Sequence, residues 1–252
     1  MNALHLETAL LNVLLLWMLT APHEFAHAWT AVRLGDDTPE RQGRLTLNPL
    51  AHVDWIGTAI LPFVTSLVGA GFLGWGKPVV TQPGKLRGGL NGLALVAMAG
   101  PASNIVMAVI LGAVSSVTAR AFPALSQFAA HGVLLSLYLA LFNLLPVPPL
   151  DGSKLLLAAR IPTVVYLELA RFGFGLLIVV MWVTPLGLWL NQWSYQGAML
   201  ISDVGRELFY YNPKRVARGG ECRTRRRFGR AISSCACAHS RLFSPVNAVR
   251  YR

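Results

Sequence analysis

Five long apolar stretches run through this chain, and each could cross the hydrocarbon core of a membrane as a helix. At 1.5 Å per residue, about 20 apolar residues span roughly 30 Å of hydrocarbon. Composition agrees, because 54% of the residues are hydrophobic, 13% are charged and the mean hydropathy is +0.50. The sequence therefore predicts an all-α, polytopic integral membrane helical bundle. The stretches are residues 9–34, 56–75, 90–117, 132–159 and 172–190.

The second stretch is difficult to place as a simple crossing. The loops that flank it, residues 33–54 and 74–89, carry three basic residues each. The positive-inside rule favours the cytoplasmic side for both loops, so residues 56–75 would have to enter the membrane and return as re-entrant or irregular structure. The glycine-rich end, "LVGAGFLGWG", makes such a break credible. The sequence leaves open whether this stretch spans or re-enters.

The net charge of +11 belongs almost entirely to the end of the chain. Residues 214–252 hold 11 of the 22 Lys and Arg but only one acid, Glu221, which leaves the first 213 residues at +1. We predict a membrane-embedded domain over residues 1–213 and a basic, disordered tail attracted to anionic lipid over residues 214–252. The tail lacks the interleaved aromatic residues or the recognisable fold that a specific nucleic-acid site needs. Its Cys222, Cys235, Cys237 and His239 match no common zinc module.

Inside the first stretch, "LTAPHEFAHAWT" places His23, Glu24 and His27 where hydrocarbon should exclude them. On a helix, residues four positions apart are offset by about 40°, so both histidine rings can face one point. The HExxH spacing is typical of zinc hydrolases, in which the glutamate acts on a water molecule and is no ligand. The alternative is a pair of ordinary core histidines and a buried acid. Placing an ionisable side chain in a membrane span is unfavourable, by at least ~2.5 kcal/mol for an Asp at mid-helix. Such residues are therefore more often functional than structural.

Two histidines are one ligand short of a catalytic zinc site, which usually has three protein ligands. The candidate for the third is Asp151 in "NLLPVPPLDG", within the fourth stretch. The prolines at 146, 148 and 149 forbid a regular helix there and let the chain present Asp151 sideways. Taken alone, Asp151 could equally be a cap on a helix that begins near Gly152.

Asn104 lies at mid-membrane in "AGPASN", behind a Gly-Pro break. It could donate to an oxyanion or hold a substrate backbone, or it could make an ordinary hydrogen bond between helices, and the residues do not decide between these readings. Asn143 allows the same two readings. We expect His52, Asp54 and His131 to be interfacial and not to bind the metal.

These motifs, in this order, resemble those of the site-2 proteases, specifically the compact members without PDZ or CBS domains. The resemblance rests on "HEFAHAW", "GRLTLNPLAHVDWIGT", "GWGKPV", "AGPASN" and "NLLPVPPLDGS", spread over residues 23–153. It implies a zinc metalloprotease that cuts peptide bonds within or next to a membrane-spanning helix.

The resemblance also implies roles for individual residues. His23, His27 and Asp151 would hold one zinc ion, Glu24 would be the general base, and Asn104 would assist the substrate backbone or oxyanion. The partners would be a membrane-protein helix as substrate and the lipid bilayer. The protein would lie in the cell membrane with its metal toward the cytoplasm. Its oligomeric state, natural substrate and trigger of cleavage are not predicted.

Pro22 departs from the family pattern, in which an ordinary apolar residue is more usual before the HExxH motif. A proline here either kinks the first helix or starts a new helix at His23. The N-terminal stretch has no basic residue before its apolar core and no small-x-small cleavage site, so we expect it to be retained. Two alternatives to a protease stay open: a proton- or metal-coupled transporter, and an inactive scaffold of the same fold. The transporter would predict internal repeats, and we find none.

Overall fold

The structure is a computed structural model, and it describes residues 3–67 and 74–210. All regular structure in these two ranges is helical, and they contain no strand, so the predicted all-α architecture is confirmed. The α-helices are α1 (Ala3–Arg33), α2 (Thr38–Arg41), α3 (Leu61–Leu67), α4 (Leu90–Thr118), α5 (Pro123–Asn143), α6 (Gly152–Ala158), α7 (Thr163–Val183) and α8 (Leu186–Tyr210). A 3-10 turn at Pro49–His52 and a π-helical turn at Trp55–Ile60 precede α3.

In the described ranges, four helices are long and apolar enough to cross a membrane. They lie in α1, α4, α5 and α7, over Ala9–Arg33, Leu90–Thr118, Pro123–Asn143 and Thr163–Met181. The protein is accordingly a polytopic membrane protein. α4 packs on both α1 and α5 and forms the centre of the bundle.

The second apolar stretch has the geometry of a re-entrant segment. Among the described residues its helical part is Trp55–Leu67, which is shorter than a membrane span. The amide of Trp75 donates to the carbonyl of Gly57 at 2.9 Å, and the amide of Lys77 donates to the carbonyl of His52 at 2.9 Å. The two ends of the segment therefore lie side by side.

The predicted bounds of the last two apolar stretches are wrong. The fourth was expected over residues 132–159, but α5 already begins at Pro123. The break predicted at the three prolines is confirmed, because α5 ends at Asn143 and α6 begins at Gly152. The fifth was expected over residues 172–190, but Pro185 divides it between α7 and α8. Apolar side chains continue across both breaks, so hydropathy alone does not locate the helix ends.

One face of the C-terminal part of α8 packs against α4 and α5. Gly112 of α4 lies against Ile201, and Gly205 lies against Ser116. Small residues at these positions let α8 approach α4 closely. The predicted basic tail at residues 214–252, with its three cysteines and His239, lies outside the described residues.

Pro22 lies inside α1, which is one continuous helix on both sides of it. Of the two possibilities raised by the sequence, a new helix beginning at His23 is therefore wrong. α1 carries Leu15, Leu16 and Leu19 into a buried cluster with Leu135 and Leu139 of α5. This packing sets the rotation of α1 about its axis, and it thereby turns the HExxH residues that follow toward the inside of the bundle.

Asp36, just after α1, anchors the loop that returns from the re-entrant segment. Its side chain is fully buried, Oδ1 accepts from the amide of Thr38 at 3.1 Å, and Oδ2 accepts from the amide of Gln82 at 2.6 Å. Burial alone would raise the pKa of Asp36, but the hydrogen bonds from Thr38 and Gln82 hold it below the usual 3.8. The carboxylate is therefore stabilised in the folded protein.

We expect Asp36→Asn to destabilise the protein by about 2 kcal/mol, because the new amide group would face a backbone N–H where a carboxylate oxygen now accepts. A group whose pKa is lower in the folded state adds stability above its unfolded pKa, and this stability is lost as pH falls through the folded pKa. Below about pH 4, wild type and variant should therefore converge in stability. Thermal unfolding in detergent across pH tests this, and a pH-independent difference would contradict it.

Candidate active site

The HExxH histidines lie side by side on the face of α1 that meets α4. The ring centroids of His23 and His27 are 4.7 Å apart and their Nε2 atoms are 3.1 Å apart. Both side chains are buried, with 7% and 4% of the residue surface exposed. Their four-residue spacing therefore aims two nitrogens at one point inside the bundle.

Asp151 meets this pair from the opposite side. Its Oδ2 lies 3.1 Å from Nε2 of His23 and 3.0 Å from Nε2 of His27. Asp151 occupies the N-cap position of α6, but its side chain makes no capping hydrogen bond. The prolines before it end α5 and turn the chain back, so the structure favours the ligand position over the helix cap.

The three side chains offer donor atoms that all lie within 4.8 Å of one another. Nδ1 of His27 is 2.6 Å from the carbonyl oxygen of Val96, which can only accept. Nδ1 must therefore carry the proton, which leaves a lone pair on Nε2. Two imidazole nitrogens and a carboxylate oxygen are donors that zinc binds, so the residues present fit this metal.

Gly100 allows α4 to come close to the two histidines. A Cβ atom built on Gly100 would lie 2.3 Å from Nε2 of His27 and 2.6 Å from Nε2 of His23. No side chain fits at this distance. The glycine of "AGPASN" is thus explained by the close approach of α4 to the donor group.

Glu24 lies beside the donor group and outside it. It is buried, and its Oε2 accepts a hydrogen bond from the amide of Val79 at 3.1 Å. Val79 belongs to the extended segment that returns from the re-entrant region, and Gly76 of this segment approaches Oε1 of Glu24. The re-entrant segment therefore orients the carboxylate.

Asn104 is buried and lines the same cavity. The bond that joins it to α5 uses its main chain, since the hydroxyl of Ser136 donates to the carbonyl of Asn104 at 2.7 Å. Its side-chain Oδ1 has no hydrogen-bond partner among the residues that the structure describes. This oxygen is thus not used in a bond between the described helices. Asn143 also lines the cavity, but its Nδ2 donates to the carbonyl of Leu139 in its own helix at 3.0 Å.

The other polar residues expected at the interface lie apart from the donor group. His52 is buried, with 1% exposed, and its Nε2 donates to the carbonyl of Thr46 at 2.9 Å. His131 lies within α5, where it bonds to Asn12 of α1 at 2.8 Å. Asp54 caps the turn that opens the re-entrant helix by accepting from the amides of Ile56 and Gly57.

Sequence reasoning missed Lys154, whose Nζ donates to Oδ1 of Asp151 at 2.9 Å. Its only sequence signal is a position three residues after the proposed ligand, on the same side of a helix. One cavity of about 470 Å³ is bordered by the donor group of His23, His27 and Asp151 and also by Glu24, Asn104 and Lys154. Most of its remaining lining is apolar and comes from α1, α5, α7 and the re-entrant segment, and it includes Leu19, Trp75, Phe142, Leu150 and Phe174.

Comparison with known proteins finds two relatives of similar length. The chain is 39% identical over 176 residues to "Putative zinc metalloprotease YwhC" of Bacillus subtilis, an alignment that covers 66% of this chain and 76% of that protein. It is 36% identical over 182 residues to "Putative zinc metalloprotease Rip2" of Mycolicibacterium smegmatis, covering 69% of this chain and 66% of that protein. No family model and no solved structure matches the chain.

These relatives agree with the donor set and with the membrane-spanning helices, and they support a metalloprotease function. The resemblance identified from the motifs is thereby confirmed. The chain belongs to the site-2 protease family of zinc metalloproteases.

Proposed function

We propose that this protein is a zinc-dependent intramembrane endopeptidase of the HExxH type, which cleaves transmembrane segments of membrane proteins. Such cleavage serves regulated intramembrane proteolysis or the removal of membrane-peptide remnants. The observation that carries the proposal is the convergence of His23, His27 and Asp151, with donor atoms within 4.8 Å, in a cavity between apolar helices. These three residues would hold one zinc ion per chain.

Zinc, when bound, lowers the pKa of a ligated water toward neutrality and polarises the carbonyl of the scissile bond. Glu24 accepts a proton from the attacking water and later gives it to the leaving amine, as a general base and then a general acid. The amide of Val79 holds one oxygen of Glu24, which leaves the other to face the cavity. Asn104, whose buried side chain lines the cavity wall, orients the substrate backbone by accepting from it at Oδ1 or stabilises its oxyanion by donating from Nδ2.

A helical substrate hides its carbonyls in internal hydrogen bonds, so cleavage requires local unwinding. The extended segment at residues 75–79 offers a surface for this. Its amides at Trp75, Lys77 and Val79 all bond inward, to Gly57, His52 and Glu24. Such alternation is typical of a strand, whose opposite edge would present the amide of Gly76 and the carbonyl of Pro78 to an unwound peptide. Pro78 itself has no N–H to donate.

We place the protein in the cell membrane with its active site toward the cytoplasm. The basis is the positive-inside rule, because both basic loops lie on one side of the bundle: the guanidinium of Arg87 donates to the carbonyl of Arg33 at 2.6 Å. Lys85 likewise pairs with Asp37 at 3.0 Å. The histidines lie one to three turns from the end of α1 at Arg33.

The metal content of the purified protein tests the ligand set. Wild type should hold about one zinc per chain, and His23→Ala or Asp151→Ala should lose most of it, because two ligands bind far more weakly than three. His131→Asn and Asp37→Ala are matched controls that change residues of the same types outside the donor group. Zinc content that is unaffected by Asp151→Ala would remove Asp151 from the site.

A further inference from the structure

Lys154 divides the two oxygens of Asp151 between different partners. Its Nζ donates to Oδ1 at 2.9 Å, while Oδ2 lies 3.0 and 3.1 Å from the histidine nitrogens. Lys154 lies on α6, three residues after Asp151, so one helical turn sets their contact. One carboxylate oxygen therefore faces the donor group and the other faces an ammonium.

This division matters for a metal that must keep a position for water. A carboxylate with both oxygens free can bind a metal through one oxygen or through both. Binding through both would occupy the position that a catalytic site leaves open for water and substrate. A charge-assisted hydrogen bond to Oδ1 is stronger than an ordinary one. It therefore opposes any rotation of the carboxylate that would bring Oδ1 to the metal.

We infer that Lys154 is a positioning residue that restricts Asp151 to binding zinc through Oδ2 alone and thereby keeps a coordination position open. The inference rests on the proposed metal site and adds to it. Lys154 restricts Asp151 through the hydrogen bond from its Nζ. The lysine borders the cavity, and 26% of its side chain is exposed. Its ammonium needs no contact with the substrate for this role.

A merely structural role for Lys154 makes different predictions. If the lysine only supported the ligand, its loss would lower zinc affinity, as is usual for residues that orient a ligand. If it opposes binding through both oxygens, its loss leaves zinc affinity equal or higher, while the open position and the activity are lost. Affinity and kcat therefore move in opposite directions only under our inference.

The test uses the full chain in detergent with Co²⁺ in place of zinc, because visible absorption of Co²⁺ is more intense at four-coordinate than at five-coordinate sites. We expect Lys154→Met to retain Co²⁺ with markedly weaker absorption, to keep or raise zinc affinity in chelator competition, and to lower kcat about 10- to 100-fold. Lys154→Arg, which can still donate to Oδ1, should restore the wild-type spectrum. Lys85→Met is the matched control, since Lys85 makes a similar bond to Asp37 at the surface.

Each outcome separates this inference from the proposed function. If wild type takes up no Co²⁺ or zinc, the proposed metal site itself is wrong. If wild type binds metal but Lys154→Met shows an unchanged spectrum, or loses zinc affinity with kcat, the positioning role is overturned and the site stands. If Lys154→Met does not fold, Lys154→Leu, which likewise cannot donate to Oδ1, is compared with Lys154→Arg by the same spectra, and identical spectra for these two overturn the inference.

Discussion

Glu24→Gln is expected to abolish peptide-bond cleavage and to leave zinc binding intact. Glutamine has nearly the same shape and can still accept from the amide of Val79, so the local structure should be kept. It cannot take a proton from water at neutral pH, and the loss of general acid–base catalysis costs about 100- to 10,000-fold in rate. The measurement is cleavage of a transmembrane reporter by the purified variant, together with its metal content.

Glu40→Gln is the matched control for this experiment, because Glu40 is an exposed glutamate on α2 outside the cavity. It should cleave at the wild-type rate. Cleavage by pure Glu24→Gln at that rate would remove Glu24 from the mechanism. Loss of zinc together with activity would instead make Glu24 part of the metal site, against the geometry in which Asp151 supplies the third donor.

Gly100→Ala is expected to damage the active site from outside the donor group. The added methyl would lie 2.3 Å from Nε2 of His27, so α4 must move away or the ring must turn. Either change breaks the bond from His27 to the carbonyl of Val96, and loss of such a bond typically costs 10- to 100-fold in metal affinity or activity. Overpacking should also cost about 1–3 kcal/mol of stability.

Zinc affinity by chelator competition and thermal unfolding of the same samples measure both effects. Gly175→Ala on α7 is the matched control, because a Cβ at Gly175 meets no atom within 4 Å. It should keep wild-type zinc affinity and activity. A Gly100→Ala variant with wild-type zinc affinity would show that the approach of α4 does not constrain the histidines.

Local spacing carried much of the prediction of the site. The four-residue separation of His23 and His27 has a geometric meaning on any helix, and α1 is indeed continuous through both. Asp151 was found by a chemical demand, because a zinc site needs a third donor and few carboxylates lie in apolar stretches. The role of Asn104 was left open because a lone amide in a span fits two readings until its partners are known.

The helix bounds near the C-terminus were harder to predict, and the reason is physical. Apolar side chains favour the membrane whether the backbone is helical or turning, so hydropathy runs without interruption from α5 into the proline-rich turn before Asp151. Likewise part of the surface of α8 is covered by α4 and α5, where small residues such as Gly112 and Gly205 set the approach.

The sequence by itself determined an all-α membrane bundle with two histidines and a glutamate on one helix, because these follow from composition and helical periodicity. It pointed to a distant aspartate because a zinc site needs a third donor. Only the tertiary structure decided which atoms meet. The carbonyl of Val96 on His27 and the amide of Val79 on Glu24 both come from segments that are distant along the chain. Such contacts depend on how helices and loops pack, and packing is a property of the whole chain.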